Sequence, residues 1–160
     1  MKAALDSQII ELLGRNRLVD ELMRAGLEVA IPIRDRGVDL IAYADLESKV
    51  TSFVACPIQM KASSLAAFGI DQKYQKFPGL ILAHVWHLHD GQQTRTYATT
   101  YAEALDIGNQ MGWKKIVSWA KGAYSTSRPG AKFQSLLEPY RMTPEKWWLK
   151  VTQSGKRLML

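Results

Sequence analysis

The hydrophobic period of this chain changes once within its first 61 residues, and that change restricts the fold more than any other feature. From Ser7 to Ala25 the apolar residues Ile9, Ile10, Leu13, Leu18, Leu22 and Met23 recur at spacings of three and four. Gly26 follows as a terminator, so the segment predicts an amphipathic helix. The runs after it are short. Leu27 to Ile33 reads as a strand, Arg34 to Gly37 as a polar turn, and Val38 to Tyr43 as a second strand. Thr51 to Lys61 (TSFVACPIQMK) then alternates, with Phe53, Ala55, Pro57, Gln59 and Lys61 on one face and Val54, Cys56, Ile58 and Met60 on the other. Proline has no N–H for a ladder, so Pro57 predicts a bulge or an unpaired edge.

Residues 62–78 show no clear period and read as a loop with a short helix. Leu80 to His89 and Thr94 to Thr99 predict a hairpin around Asp90-Gly91. Thr100 with Glu103 is a capping-box pattern that opens the helix TYAEALDIGNQM, which stops at Gly112. Thr143-Pro144-Glu145 opens a last short helix through Trp147 and Trp148. Helix, three strands, further strand pairing and helix together make an α/β order.

No repeat or Gly/Ser linker divides the 160 residues, but composition changes near Gly112. Residues 1–112 carry 11 basic and 13 acidic side chains, a net of −2, whereas residues 113–160 carry 10 and 2, a net of +8. The expectation is a single domain: a core over 1–112 and a basic, aromatic-rich C-terminal extension over 113–160 packed on it. Lys114, Lys115, Lys121, Arg128 and Lys132, with Arg34 and Arg36 from the early turn, are the candidate nucleic-acid contacts. Interleaved aromatics (Trp113, Trp119, Tyr124, Tyr140, Trp147, Trp148) suit base stacking, or equally the packing of the extension onto the core with only the basic residues facing outward. STSRPG, Ser125 to Gly130, reads as a surface loop able to hold a phosphate.

A lone cysteine, Cys56, excludes an intramolecular disulfide, and its neighbours Val54, Ile58 and Met60 mark an inert buried thiol. The N-terminal stretch MKAALDSQIIELLGRNR lacks the uninterrupted apolar run of a signal peptide or membrane span, so a cytoplasmic protein is expected. His84, His87 and His89 invite a zinc reading, but strand alternation sends His84 to the opposite face from the other two.

Asp39 opens an apolar strand, where a carboxylate packs poorly and needs a partner. Twenty residues on, Gln59 and Lys61 sit two apart and point the same way from a strand. A carboxylate, an amide and an ammonium at neighbouring strand ends suit phosphodiester hydrolysis, because a hard divalent cation takes oxygen ligands and phosphate or water completes its shell. The plainer reading makes Asp39 a turn-capping carboxylate after Gly37 and Lys61 a solvated strand end.

GVDLIAY followed by IQMK, behind the helix GRNRLVDELMRAGLEV, resembles the PD-(D/E)XK, restriction-endonuclease-like nucleases in their Gln-x-Lys variant. The chain is similar over residues 7–112 to the small Holliday-junction resolvases and their bacterial and phage relatives. The resemblance implies a central mixed β-sheet flanked by helices and a Mg²⁺ (or Mn²⁺)-dependent endonuclease acting on DNA, branched or distorted DNA included, with homodimers among its relatives. It implies Asp39, Gln59 and the backbone carbonyl of Met60 as metal ligands, with Lys61 as the catalytic lysine. Two positions depart from the pattern. Gln59 offers a neutral oxygen in place of a carboxylate, and Arg15 follows Gly14 where relatives often carry a glutamate. Glu11, one turn before Arg15 on the same helical face, and Glu21, about 120° around the helix, are the candidate auxiliary acids, Glu11 being the better substitute. The alternatives are a nucleic-acid-binding module that has lost the chemistry, and a protein-interaction subunit.

Overall fold

A computed structural model, describing residues 5–34, 36–45 and 52–159, begins with the expected helix, α1 (Ser7–Arg24). Asp6 caps it, its carboxylate accepting the Ile9 N–H at 2.9 Å, and the helix buries Gly14, Leu18 and Leu22. β1 (Glu28–Ala30), β2 (Leu40–Asp45) and β3 (Ser52–Ala62) follow, and β1 is shorter than its apolar run because Pro32 has no N–H to extend the pairing. β4 (Phe68–Asp71), a 3-10 turn (Gln72–Lys76), β5 (Ile81–Trp86) and β6 (Arg95–Thr100) lead to α2 (Tyr101–Gln110), which carries the complete capping box of Thr100 and Glu103. The C-terminal segment adds α3 (Val117–Ala120), β7 (Ala123–Thr126), α4 (Ala131–Leu137), α5 (Pro144–Ser154) and β8 (Lys156–Met159).

The main sheet runs β1-β2-β3-β5-β6, antiparallel except for the β3–β5 pair. β2 occupies one edge of β3. On the other edge β8 registers with Ser52 to Ala55 and β5 with Ile58 to Ala62, so two strands share that edge end to end. Pro57 falls in the gap between them, where its missing N–H leaves no ladder bond unmade. β4 and β7 form a separate two-stranded sheet.

Helices flank the sheet, so the fold is mixed α/β with a central mixed sheet. On one face Leu18 and Leu22 of α1 and Trp147 and Val151 of α5 pack against Leu40, Cys56, Ile58, Ile81 and Val85. On the other, Phe68 and Ile70 of β4, Ile107 of α2, and Phe133 and Leu137 of α4 cover Leu82, Trp86 and Tyr97. Each such buried side chain contributes roughly 1.5–3 kcal/mol. Residues 113–159 are threaded through both layers: Trp113 and Trp147 are buried, and β8 joins the main sheet. Packing is therefore the role of those two tryptophans, while Trp148 stays 36% exposed.

Two expectations change. Residues 62–78 hold a strand as well as a 3-10 turn. β5 ends at Trp86, and His87, at φ 60°, turns the chain out of the strand, so His87 and His89 lie on the loop before β6. Among the described residues no cluster of three or more His, Cys, Asp or Glu side chains is placed to hold a metal, and no helix is long and apolar enough to cross a membrane.

Candidate active site

The site forms where the β2–β3 ladder runs out. Leu40 registers against Ile58, yet the Asp39 N–H also donates to the Ile58 carbonyl at 2.9 Å, so two successive residues face one, as in a bulge. Beyond this point the Met60 N–H has no β2 backbone to meet. The Asp39 carboxylate takes its place, Oδ2 accepting that N–H at 2.7 Å and the Gln59 Nε2–H at 2.8 Å. At 9% exposure the acid is nearly enclosed. Capping the ladder end is thus one function of Asp39, and it leaves the carboxylate beside the Gln59 amide.

That amide is imperfectly accommodated. Its nitrogen also reaches the Met60 carbonyl at 3.3 Å, while Oε1 is buried with no hydrogen-bond partner. The N–H₂ group therefore sits between two oxygens, a carboxylate and a carbonyl. Turning the amide end for end would set a third oxygen against them, a cluster that a cation would stabilise. All three atoms would then be oxygens, the donor type that could hold a hard cation such as Mg²⁺ or Mn²⁺ in preference to a soft metal.

Lys61 leaves β3 on the same face and opens onto the same cleft, with its ammonium close to Gly69 of β4. Burial lowers its pKa and nearby Lys73 lowers it further, while Asp71 works the other way. Its register neighbour on β5, His84, is 1% exposed and stacked on Phe68 with ring centroids 4.3 Å apart. Burial, helped by the Lys61 charge, pushes the His84 pKa down to about 3, so the imidazole is neutral. Cys56, facing the other side of the sheet, is pushed up to about 12 by burial and is chemically quiet.

The cleft has a volume of about 580 Å³ and is lined by Asp39, Gln59, Met60 and Lys61 together with hydroxyl side chains: Ser7 from α1, Ser63 after β3, and Ser125, Thr126 and Ser127 from β7 and its end. Gly14 lets α1 cross β3 this closely, since a Cβ there would lie 2.5 Å from the Ala62 Cβ and 3.3 Å from the Met60 Sδ. One turn earlier Glu11 reaches the cleft, 59% exposed and paired with Arg15 at 2.9 Å. Glu21, the other candidate acid, does not line it; its carboxylate accepts from Arg17, Thr96 and Trp147 in a structural network.

None of Arg34, Arg36, Lys114, Lys115, Lys121, Arg128 and Lys132 lines the cleft, and all are exposed. Arg128 comes nearest in sequence, directly after Ser127. Gly69 and Ser63 had no distinguishing signal in sequence. The β7 hydroxyls had one, being the first residues of the STSRPG segment.

A mixed sheet with helices on both faces and a polar cleft at the end of paired strands is the class of architecture this chain defines. The chain matches no family model and no curated protein. Among solved structures it is similar to a bacterial homing endonuclease, I-Ssp6803I, at 12% identity and a TM-score of 0.48, over 94% of this chain and 95% of that one.

Proposed function

We propose that the cleft is the active site of a metal-dependent nuclease of the PD-(D/E)XK type, hydrolysing phosphodiester bonds in DNA. The observation that carries this reading is the Gln59 amide lodged between the Asp39 carboxylate and the Met60 carbonyl with its own oxygen buried and unpartnered. Asp39, the Gln59 amide oxygen and the Met60 carbonyl would hold Mg²⁺ or Mn²⁺. The bound ion would supply a Lewis acid for a phosphate oxygen and a water of lowered pKa. Lys61 adds a compact cation beside the developing negative charge of the phosphate. The exposed basic residues of the C-terminal segment supply backbone attraction outside the cleft.

The test pairs cleavage of DNA in Mg²⁺ or Mn²⁺ with calorimetric titration of the metal. Wild type should cut and bind the ion; Lys61→Ala should bind the ion and lose about 10²-fold or more in rate. Equal cutting by the variant removes Lys61 from the chemistry. A second reading, a DNA-binding module without catalysis, is favoured by two observations: among the described residues Asp39 is the single carboxylate in the proposed donor set, and Glu11 is held by Arg15. It predicts salt-sensitive DNA binding, no cleavage and no heat on metal addition.

A further inference from the structure

We propose that the short β4–β7 sheet is a positioning wall for the Lys61 ammonium, with Gly69 and His84 as the residues that set its place. The functional part of this inference rests on the nuclease reading; the geometric part does not.

Gly69 sits inside β4, opposite Ser125 of β7, without a left-handed backbone that would require glycine. What it provides is room. A Cβ at this position would lie 3.0 Å from Lys61 Nζ, closer than carbon and nitrogen comfortably pack, and 3.6 Å from both the Ser125 Cβ and the Tyr124 carbonyl oxygen. The ammonium lies where a Cβ would crowd it by a few tenths of an ångström, with the serine that the C-terminal segment delivers close by. A glycine weakens a strand interior, so its presence here fits a need for close approach.

His84 holds that wall. It is the parallel-register neighbour of Lys61 and is sealed from solvent, stacked on the Phe68 ring that precedes Gly69. Its Nε2 lies 3.1 Å from the Gly69 carbonyl oxygen and 3.4 Å from the Gly69 nitrogen. With the proton on Nε2 the imidazole donates to the carbonyl and leaves Nδ1 as a buried lone pair without a partner, a smaller penalty than a buried N–H left unmade. Its hydrogen bond thus goes to the residue whose missing side chain leaves the lysine room, and the central sheet and the small sheet are joined at this point.

Gly69→Ala keeps every functional group and should displace the ammonium by a few tenths of an ångström. A misplacement of about 1 Å costs about 10²-fold in rate, so roughly tenfold is expected in kcat, with KM unchanged. In a Lys61→Ala background the same substitution should add nothing to the loss. His84→Phe, which keeps the stacked ring and the burial, should lower kcat in the same sense through movement of β4. Crystal structures of both variants report the ammonium position directly. An unmoved Nζ in Gly69→Ala, or a Gly69→Ala loss that is just as large without Lys61, overturns the proposal. Should Gly69→Ala fail to fold, His84→Phe decides it by the same two readouts. If wild type cuts no DNA with either metal, the nuclease reading fails, while displacement or retention of Nζ still decides the wall.

Discussion

Asp39 and Glu21 are both largely enclosed carboxylates, and their surroundings differ in one respect. Glu21, its side chain 15% exposed, ties three elements together: Oε1 accepts from Arg17 of α1 at 2.7 Å and Thr96 of β6 at 2.9 Å, and Oε2 from the Trp147 indole of α5 at 3.0 Å. Its site is closed and saturated. Asp39 accepts from Met60 and Gln59 at the edge of a 580 Å³ cleft, next to a buried amide oxygen that has no hydrogen-bond partner. A saturated network has no capacity left for a ligand and expresses itself as stability. The other site is unsaturated at the Gln59 Oε1, at some cost in stability, and on the reading proposed above the cleft beside it is where a cation would bind.

Substitution at the two acids should separate these roles. Asp39→Asn keeps an oxygen for the Met60 N–H but removes the charge, and should lower cleavage about 10²–10³-fold while leaving the urea midpoint nearly in place. Glu21→Ala should do the reverse. It orphans the Trp147 indole N–H and the Thr96 hydroxyl and leaves Arg17 without its partner, costing about 3 kcal/mol in urea unfolding with the rate per folded molecule preserved. Comparable losses of stability and activity from both variants would abolish the distinction.

How far sequence reveals such differences depends on the range of the contacts involved. The α1, β2 and β3 segments announce themselves because period and alternation are local, and alternation alone places Gln59 and Lys61 on one face. The cap at Thr100 and the proline start at Thr143 are equally local. β4 is not readable in this way: four residues, FGID, become a strand because Phe68 to Asp71 pair with Ala123 to Thr126, far along the chain. β8 has the same origin, since KRLM finds its partner at Ser52 to Ala55. The choice between Glu11 and Glu21 turned on tertiary contacts too. Helix phase ranks them, but only the crossing at Gly14 brings one to the cleft and only Thr96 and Trp147 claim the other.

Acid titration sharpens the comparison from the cleft side. His84 is held neutral by burial, its pKa down at about 3, against about 6.5 in an unfolded chain. Between those values the unfolded chain takes up a proton that the folded one refuses, so stability present at neutral pH is lost as pH falls below about 6.5. The slope is about 1.4 kcal/mol per unit, or about 2 kcal/mol between pH 6.5 and 5. Urea unfolding across that interval should show this slope in wild type and lose most of it in His84→Phe, the remainder coming from His87, whose pKa burial also lowers. A wild-type stability that stays flat from pH 6.5 to 5 contradicts the sealed, neutral imidazole that braces Gly69.

The smallest expected effect is the most specific to the unsaturated site. Gln59→Glu replaces the amide between Asp39 and the Met60 carbonyl with a second carboxylate, and no donor is left to separate the two charges. Without metal the variant should unfold at lower urea than wild type at pH 7, because one of two adjacent carboxylates must be forced into its neutral form or stay charged at a penalty. With Mg²⁺ the order should reverse: two carboxylates attract the ion better than one, and about tenfold tighter binding, near 1.4 kcal/mol, should appear as a larger metal-induced rise in the thermal midpoint. Glu21→Gln offers the control, since its surroundings present donors and no free oxygen, and metal should not move its midpoint beyond the wild-type response. A Gln59→Glu protein indifferent to Mg²⁺ would mean that the buried oxygen of residue 59 faces no cation, and the contrast between the two acids would then be one of burial alone.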